Sequence, residues 1–278
     1  MPVFGRIGPI TPAQSNSRGG SLPPGVRERV PFALGPRDDT GQLAARFAAE
    51  GFVSIPQILE PECALWLHKL LRERGDWMQA INSGEKLVEL DRPTRASMPA
   101  DRASQLDQAV YAGARHGFQF RYETIRVPDA ASERMASADP LAAFAAWWSQ
   151  GEPRDLLRRI TGCPEFSFAD AQATAYSPGD FLTEHTDGVD GKGRVAAYVI
   201  GLTPQWRLEW GGLLVLHPQA GEAARAMVPE FNRLNIMRVP QSHSVSEVTR
   251  AAAYRRYSIT GWLRRQCPEP GLERSEQQ

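Results

Sequence analysis

Disulfide chemistry is the first thing this 278-residue chain lacks. Its three cysteines, Cys63, Cys163 and Cys267, are odd in number and include no Cys-x-x-Cys pair, which argues against a disulfide framework and a zinc-thiolate site. A reducing, cytoplasmic setting is the expectation. No run of about 18 apolar residues occurs and the N-terminus has no apolar leader core, so neither a membrane span nor a signal peptide is expected. Charge of one sign is missing too. Lys and Arg number 32 against 32 Asp and Glu, and a pI near 7.0 leaves no global field to recruit nucleic acid or an anionic membrane. Internal repeats are not evident. With only 5 histidines, each one has to be accounted for. What is present is a 42% hydrophobic content, enough for one large domain with additions.

Residues 1 to 38 mix Gly, Pro, Ser and Arg around Ser21-Leu-Pro-Pro-Gly25 without apolar periodicity, and read as a disordered tail. Gln42 to Glu50 reads as a helix stopped by Gly51, and Phe52-Val-Ser-Ile-Pro as a strand. Pro61 to about Arg74 is a second helix, with proline in its first turn and His68 among its apolar residues. Ala103 to Gly117 is predicted helical, and Phe118 to Val127 alternates as a half-buried strand does. Two further helices are expected between Leu141 and Ile160, separated by Gly151-Glu-Pro153. After Gly162 strand candidates follow one another: 167–176, 181–187, 194–202, 213–217, 234–239 and 256–263. Short strands with turn punctuation indicate a sandwich or jelly roll.

The most informative stretch is Phe181-Leu-Thr-Glu-His185-Thr-Asp187-Gly. On an extended segment His185 and Asp187 point to the same face, so one imidazole and one carboxylate converge. With a second imidazole they make the two-His, one-carboxylate triad that leaves open positions on Fe(II). His243 is the candidate for that imidazole, and His217, at the end of Leu213-Leu-Val-Leu, is its competitor. His116, in Arg115-His-Gly, needs only a role at a helix end. Farther on, alternation along Arg256-Tyr-Ser-Ile-Thr260-Gly-Trp262 places Arg256, Ser258 and Thr260 on one polar face of a strand. A guanidinium there suits a carboxylate held in a partly dry site. Arg255 is the fallback if the register slips by one.

His-x-Asp, a distal His243-x-Val-x-x-Val248 and the closing Arg256 to Trp262 run together resemble the 2-oxoglutarate- and Fe(II)-dependent dioxygenases, specifically their prolyl-4-hydroxylase-like branch, over roughly residues 41 to 265. The resemblance implies an α+β fold with a double-stranded β-helix (jelly-roll, cupin-like) core at about 163–265. Supporting helices would fill about 39–162, and 266–278 would form a flexible tail. It implies Fe(II) held by His185, Asp187 and His243, now favoured over His217, with 2-oxoglutarate and O2 as co-substrates and ascorbate as a supporting reductant. Arg256, Thr260 and Tyr176 would bind the co-substrate, and Arg194 and Trp262 the substrate. Trp206 with Gly211-Gly212 resembles a stretch that belongs to the fold. One departure stands out. Where relatives have Tyr-Leu-Asn this chain has Gly201-Leu-Thr203, so either the pocket is wider there and admits a water, or Arg256 and Thr260 grip the co-substrate alone; Tyr198 does not replace the missing phenol by strand parity.

The implied activity is hydroxylation of a prolyl residue in a protein or peptide partner, with succinate and CO2 released. Hydroxylation of a free amino acid or other small metabolite is the alternative, and a metal-binding sensor module without turnover a third reading. No nucleic-acid or membrane partner is expected. Residues 77 to 135 carry no readable specificity.

Overall fold

The structure, a computed structural model, describes residues 32–218 and 223–265. Of the tail expected at 1–38, residues 1–31 lie outside the described residues, as do the tail expected at 266–278 and Cys267 with it. Residues 32–38, assigned to the tail from composition, pack instead: Leu34 bridges Leu59, Gly35 donates to the Ile58 carbonyl, and the Phe32 ring meets Phe144 edge-on.

The first helix, α1 (Thr40–Glu50), buries Leu43 and Phe47 four residues apart and ends because Gly51 takes a left-handed φ of 67°. Strand β1 (Phe52–Pro56) follows, then α2 (Pro61–Glu73), whose buried Cys63, Ala64, Leu67 and Leu71 form one apolar stripe. Next comes a hairpin of β2 (Met78–Ser83) and β3 (Lys86–Asp91), turning at Gly84, that periodicity does not announce. Helix α3 (Arg92–Ala96) is capped by the Asp91 carboxylate, which accepts from the Thr94 N–H. Then follow α4 (Ala100–Ala114), β4 (Phe120–Arg126), α5 (Ala131–Ala136), α6 (Pro140–Trp148) and α7 (Gly151–Thr161). Gly151-Glu-Pro153, expected to separate two helices, forms the first turn of α7, where a proline N–H is not needed.

The second half supplies β5 (Phe168–Ala169), β6 (Gln172–Tyr176), β7 (Phe181–His185), β8 (Arg194–Gly201), β9 (Leu214–Leu216), β10 (Arg225–Met227), β11 (Arg233–Arg238), β12 (His243–Val245) and β13 (Arg256–Arg264). All pairings are antiparallel, in the order β1-β11-β8-β13-β6-β4-β7-β12-β9-β10. The sheet curls on itself. Strands β1-β11-β8-β13-β6-β4 make the larger leaf and β7-β12-β9-β10 the smaller, joined where Phe120 of β4 pairs with Leu182 of β7. This is the double-stranded β-helix expected from the sequence. The expected division into helical support and jelly roll is less clean, since β1 and β4 come from the N-terminal half and are integral to the larger leaf.

Helices cover the convex face of that leaf. Trp77, Trp148, Phe144 and Leu67 pack there against Tyr198, Ile200, Ile236 and Ile259, all almost fully buried. By the period of a strand, the residues alternating with these face the concave side. Tyr198 illustrates the parity argument: its phenol lies on the helix side and donates to the Asp170 carbonyl at 2.8 Å. No described helix is long and apolar enough to cross a membrane.

Candidate active site

The concave side holds a cavity of about 300 Å3 between the two leaves. At one end stand His185, the last residue of β7, His243, the first of β12, and Asp187. His243 pairs directly with His185 across the smaller leaf, which brings the imidazoles to a centroid separation of 4.2 Å. Asp187 Oδ2 lies 3.4 Å from His243 Nε2, and Oδ1 lies 3.7 Å from His185 Nε2. One ligand atom from each residue falls within 4.8 Å of the others. Tautomers are fixed from behind. The Thr183 carbonyl is 3.0 Å from His185 Nδ1 and the Gln241 carbonyl 2.8 Å from His243 Nδ1, so a neutral ring donates from Nδ1 and presents a lone pair at Nε2. Burial and the neighbouring His243 depress the His185 pKa, favouring the neutral, ligating form. Two imidazoles and a carboxylate, oriented in this way, fit Fe(II).

Deeper in, β13 presents Arg256, Ser258, Thr260 and Trp262 to the cavity, as the alternation required. Arg256 is 5% exposed. Burial lowers its pKa, opposed only by Tyr176, which pairs with it across β6 and β13 and whose ring lies 5.0 Å from the guanidinium. A buried guanidinium with no carboxylate beside it is costly, and an anionic co-substrate would satisfy it. Four residues of strand separate Arg256 from Thr260, about 13 Å. Thr260 lines the same cavity farther along the strand. Ser258, between them on the same face, has its hydroxyl 2.8 Å from Thr174 Oγ1.

Residues 171–264 match the model of the 2OG-Fe(II) oxygenase superfamily. Over that stretch the chain is similar to that superfamily. Among curated relatives, mouse prolyl 3-hydroxylase OGFOD1 is 33% identical over 128 residues, which is 43% of this chain. The match spans only 21% of that relative's length. Among solved structures, a Pseudomonas putida prolyl-4-hydroxylase aligns with a TM-score of 0.53 at 17% identity, covering 82% of this chain and 99% of that one. A Trichoplax adhaerens prolyl hydroxylase, solved with a hypoxia-inducible-factor peptide fragment, aligns at 0.52 and 16% identity, covering 81% and 88%. At such identities the structural likeness speaks for the fold, and the superfamily's metal and co-substrate, Fe(II) and 2-oxoglutarate, fit the residues above.

The other oxygenase candidates sort themselves by position. Arg194 lies over Trp262, its guanidinium carbon 3.5 Å from the ring centre, and donates to the Asp187 carbonyl at 3.1 Å. Both line the cavity mouth. His217 is spoken for, with Nε2 at 2.8 Å from Ser244 Oγ and Nδ1 at 3.6 Å from Glu184. His68 sits among aromatic rings, 6.1 Å from Tyr257 and 6.4 Å from Phe231. His116 closes the turn after α4, its N–H on the Gly113 carbonyl. Arg255 faces away and pairs with Glu123 at 2.7 Å. The indole of Trp206 donates to the Gly211 carbonyl at 2.8 Å, a role in the fold. Gly201 does not widen the pocket. It is not among the lining residues, and a Cβ there would meet the Glu230 carbonyl at 2.2 Å, so the close backbone approach explains the glycine. Sequence reasoning missed the aromatic wall of Phe118, Phe120 and Tyr122, with Tyr122 stacked on Tyr176 at 5.1 Å. Its signal was the i, i+2 aromatic spacing on β4.

Proposed function

We propose that the chain is a 2-oxoglutarate- and Fe(II)-dependent dioxygenase that hydroxylates a prolyl residue of a protein or peptide. The observation that carries the reading is the pairing, in one cavity, of the His185, Asp187, His243 triad with the buried Arg256, which has Tyr176 beside it but no carboxylate partner among the described residues. When bound, iron with 2-oxoglutarate and O2 supplies the oxidising power to replace a C–H hydrogen by hydroxyl, releasing succinate and CO2.

The chain's own residues position and exclude. His185, Asp187 and His243 would hold the metal. Arg256, flanked by Tyr176 and Ser258, would grip the distal carboxylate of 2-oxoglutarate, because a guanidinium gives a paired, charge-assisted contact. Phe118, Phe120, Tyr122, Met237 and Leu214 line the remaining wall, which suits an apolar ring and keeps water out. Arg194 and Trp262 would meet the substrate at the mouth. The prolyl assignment draws on the prolyl hydroxylases among the similar proteins.

Anaerobic addition of Fe(II) and then 2-oxoglutarate should raise a visible charge-transfer band in wild type and none in His243→Ala. Succinate release should then follow a pool of prolyl peptides. Turnover of free proline or small acids alone would replace the peptide by the small-metabolite reading, and binding without succinate would favour a sensor.

A further inference from the structure

Asn82 and Gln119 are buried amides, 7% and 5% exposed, and neither lines the active cavity. Asn82 begins where a ladder stops. Strands β2 and β4 pair only as far as Ile81 and Arg121, and β2 then runs into its turn at Gly84. Past that point the Asn82 side chain bonds as a strand would. Its Nδ2 donates to the Phe118 carbonyl at 2.8 Å, and its Oδ1 accepts the Phe120 N–H at 2.7 Å. Between them the Gln119 side chain donates from Nε2 to the Asn82 carbonyl and to Asn82 Oδ1, both at 2.8 Å. Helix α4 makes room for that amide, since a Cβ on Gly113 would lie 2.3 Å from Gln119 Oε1. A glycine within a helix costs stability, and here it leaves space for a polar side chain.

The backbone so fixed reaches the metal end. The Gln119 N–H donates to Thr183 Oγ1 at 2.8 Å, and the Gln119 carbonyl accepts the Thr183 N–H at 2.9 Å. Thr183 in turn supplies the carbonyl that holds His185 Nδ1. The Phe118 ring, on the same short segment, lies against the His185 ring with centroids 5.4 Å apart. An imidazole aims its lone pair only as well as the partner of its other nitrogen is held. We infer that Asn82, acting through Gln119 and Thr183, is a positioning residue that aims His185 Nε2 at the metal. The inference rests on the triad as a metal site and is independent of which substrate is hydroxylated. His243 is held by other means: Gln241 supplies the carbonyl that takes its Nδ1 proton, and the Gln241 amide donates to the His217 and Ser242 carbonyls.

The test uses the full chain and Co(II) without O2, because the same donor set takes Co(II) and its visible bands report ligand geometry. Affinity, band position and melting temperature are read together on Asn82→Ala, Gly113→Ala and a control, Asn232→Ala. Asn232 is an equally buried amide that bonds the Leu59 backbone instead, at 2.9 and 2.7 Å. Asn82→Ala should weaken Co(II) about tenfold and shift its bands. Gly113→Ala keeps every bonding group but pushes the Gln119 amide aside, and should change affinity and bands in the same direction. Asn232→Ala should lower the melting temperature and leave Co(II) untouched. Should Asn82→Ala fail to fold, Gly113→Ala decides alone. Unchanged Co(II) affinity and bands in either folded site variant would overturn the inference and leave the triad standing. An equal loss in Asn232→Ala would also overturn it, by tracing the effect to instability. No binding by wild type would overturn the triad reading and the inference with it.

Discussion

Asp187 is where one side chain decides most. Its two oxygens face different imidazoles, so Asp187→Ala removes the carboxylate common to both while leaving both rings tied to backbone carbonyls. Fe(II) affinity should fall by at least about a hundredfold, measured by titration under anaerobic conditions, whereas His217→Ala should leave it unchanged. Glu123 is the opposite case, a buried acid with a structural task. Burial raises its pKa, but Arg92, Arg255 and Arg95 together bring it below the ordinary carboxylate range. A depressed carboxyl contributes stability that is present above its unfolded pKa of about 4.3 and lost as pH falls through the folded value. Glu123→Gln should therefore cost about 2 kcal/mol at pH 7, reduced from the fully buried case because the arginines are partly exposed. The cost should shrink below pH 4, read from urea midpoints. At this scale the triad was readable because its parts lie on strands of period 2. Which hydroxyl serves beside Arg256 was not, because parity ranks Ser258 and Thr260 alike.

Strand β13 carries the most chemistry of any element, and Asp170 sits at its edge. Gly261 lets the Asp170 backbone approach so closely that a Cβ would lie 2.1 Å from its carbonyl oxygen. The buried Asp170 carboxyl, pushed up to about 6, binds its proton more firmly in the folded chain than in the unfolded one. Over the window from about pH 4 to 6 the native state therefore holds more protons, and stability declines as pH rises. Asp170→Asn should lessen that decline, by roughly 3 kcal/mol at most across the window, and leave the part due to Asp180, which burial pushes up to about 7. Denaturation midpoints at pH 4.5 and 7 would show it. A wild-type midpoint unchanged between those values would refute the assignment. Elements announced themselves unevenly. Helix α1 and the strands β8, β11 and β13 have stops or alternation of their own. The β2–β3 hairpin has neither, for β3 is exposed at nearly every residue and no apolar face marks it. Only the Ser83-Gly84 turn betrays it.

For the molecule as a whole, metal and co-substrate should act as a clasp between the leaves, since His185 and His243 belong to the smaller and Arg256 to the larger. Mn(II) and 2-oxoglutarate, each at about 100 times its dissociation constant, should each add about 2.7 kcal/mol and raise the melting temperature by roughly 5–10 °C, and chelation should reverse the rise. Arg256→Ala should lose the 2-oxoglutarate part of that rise and keep the metal part. The double-stranded β-helix was foreseeable from strand spacing together with the motif resemblance, while the contribution of the N-terminal strands was not, because pairing partners dozens of residues or more apart leave no mark on local pattern.

Strand β4 has a consequence for what counts as the unit of this protein. The stretch that similarity recognises, 171–264, excludes both β4 and β1. Cut free, that stretch would present β6, β7 and β11 with unpaired backbone donors and acceptors, and would strip the helices from Tyr198 and Ile236. Such bare edges invite strand exchange and precipitation. The recognisable portion is thus smaller than the portion able to fold, and transplanting this chemistry to another scaffold means carrying the N-terminal half along as its closure.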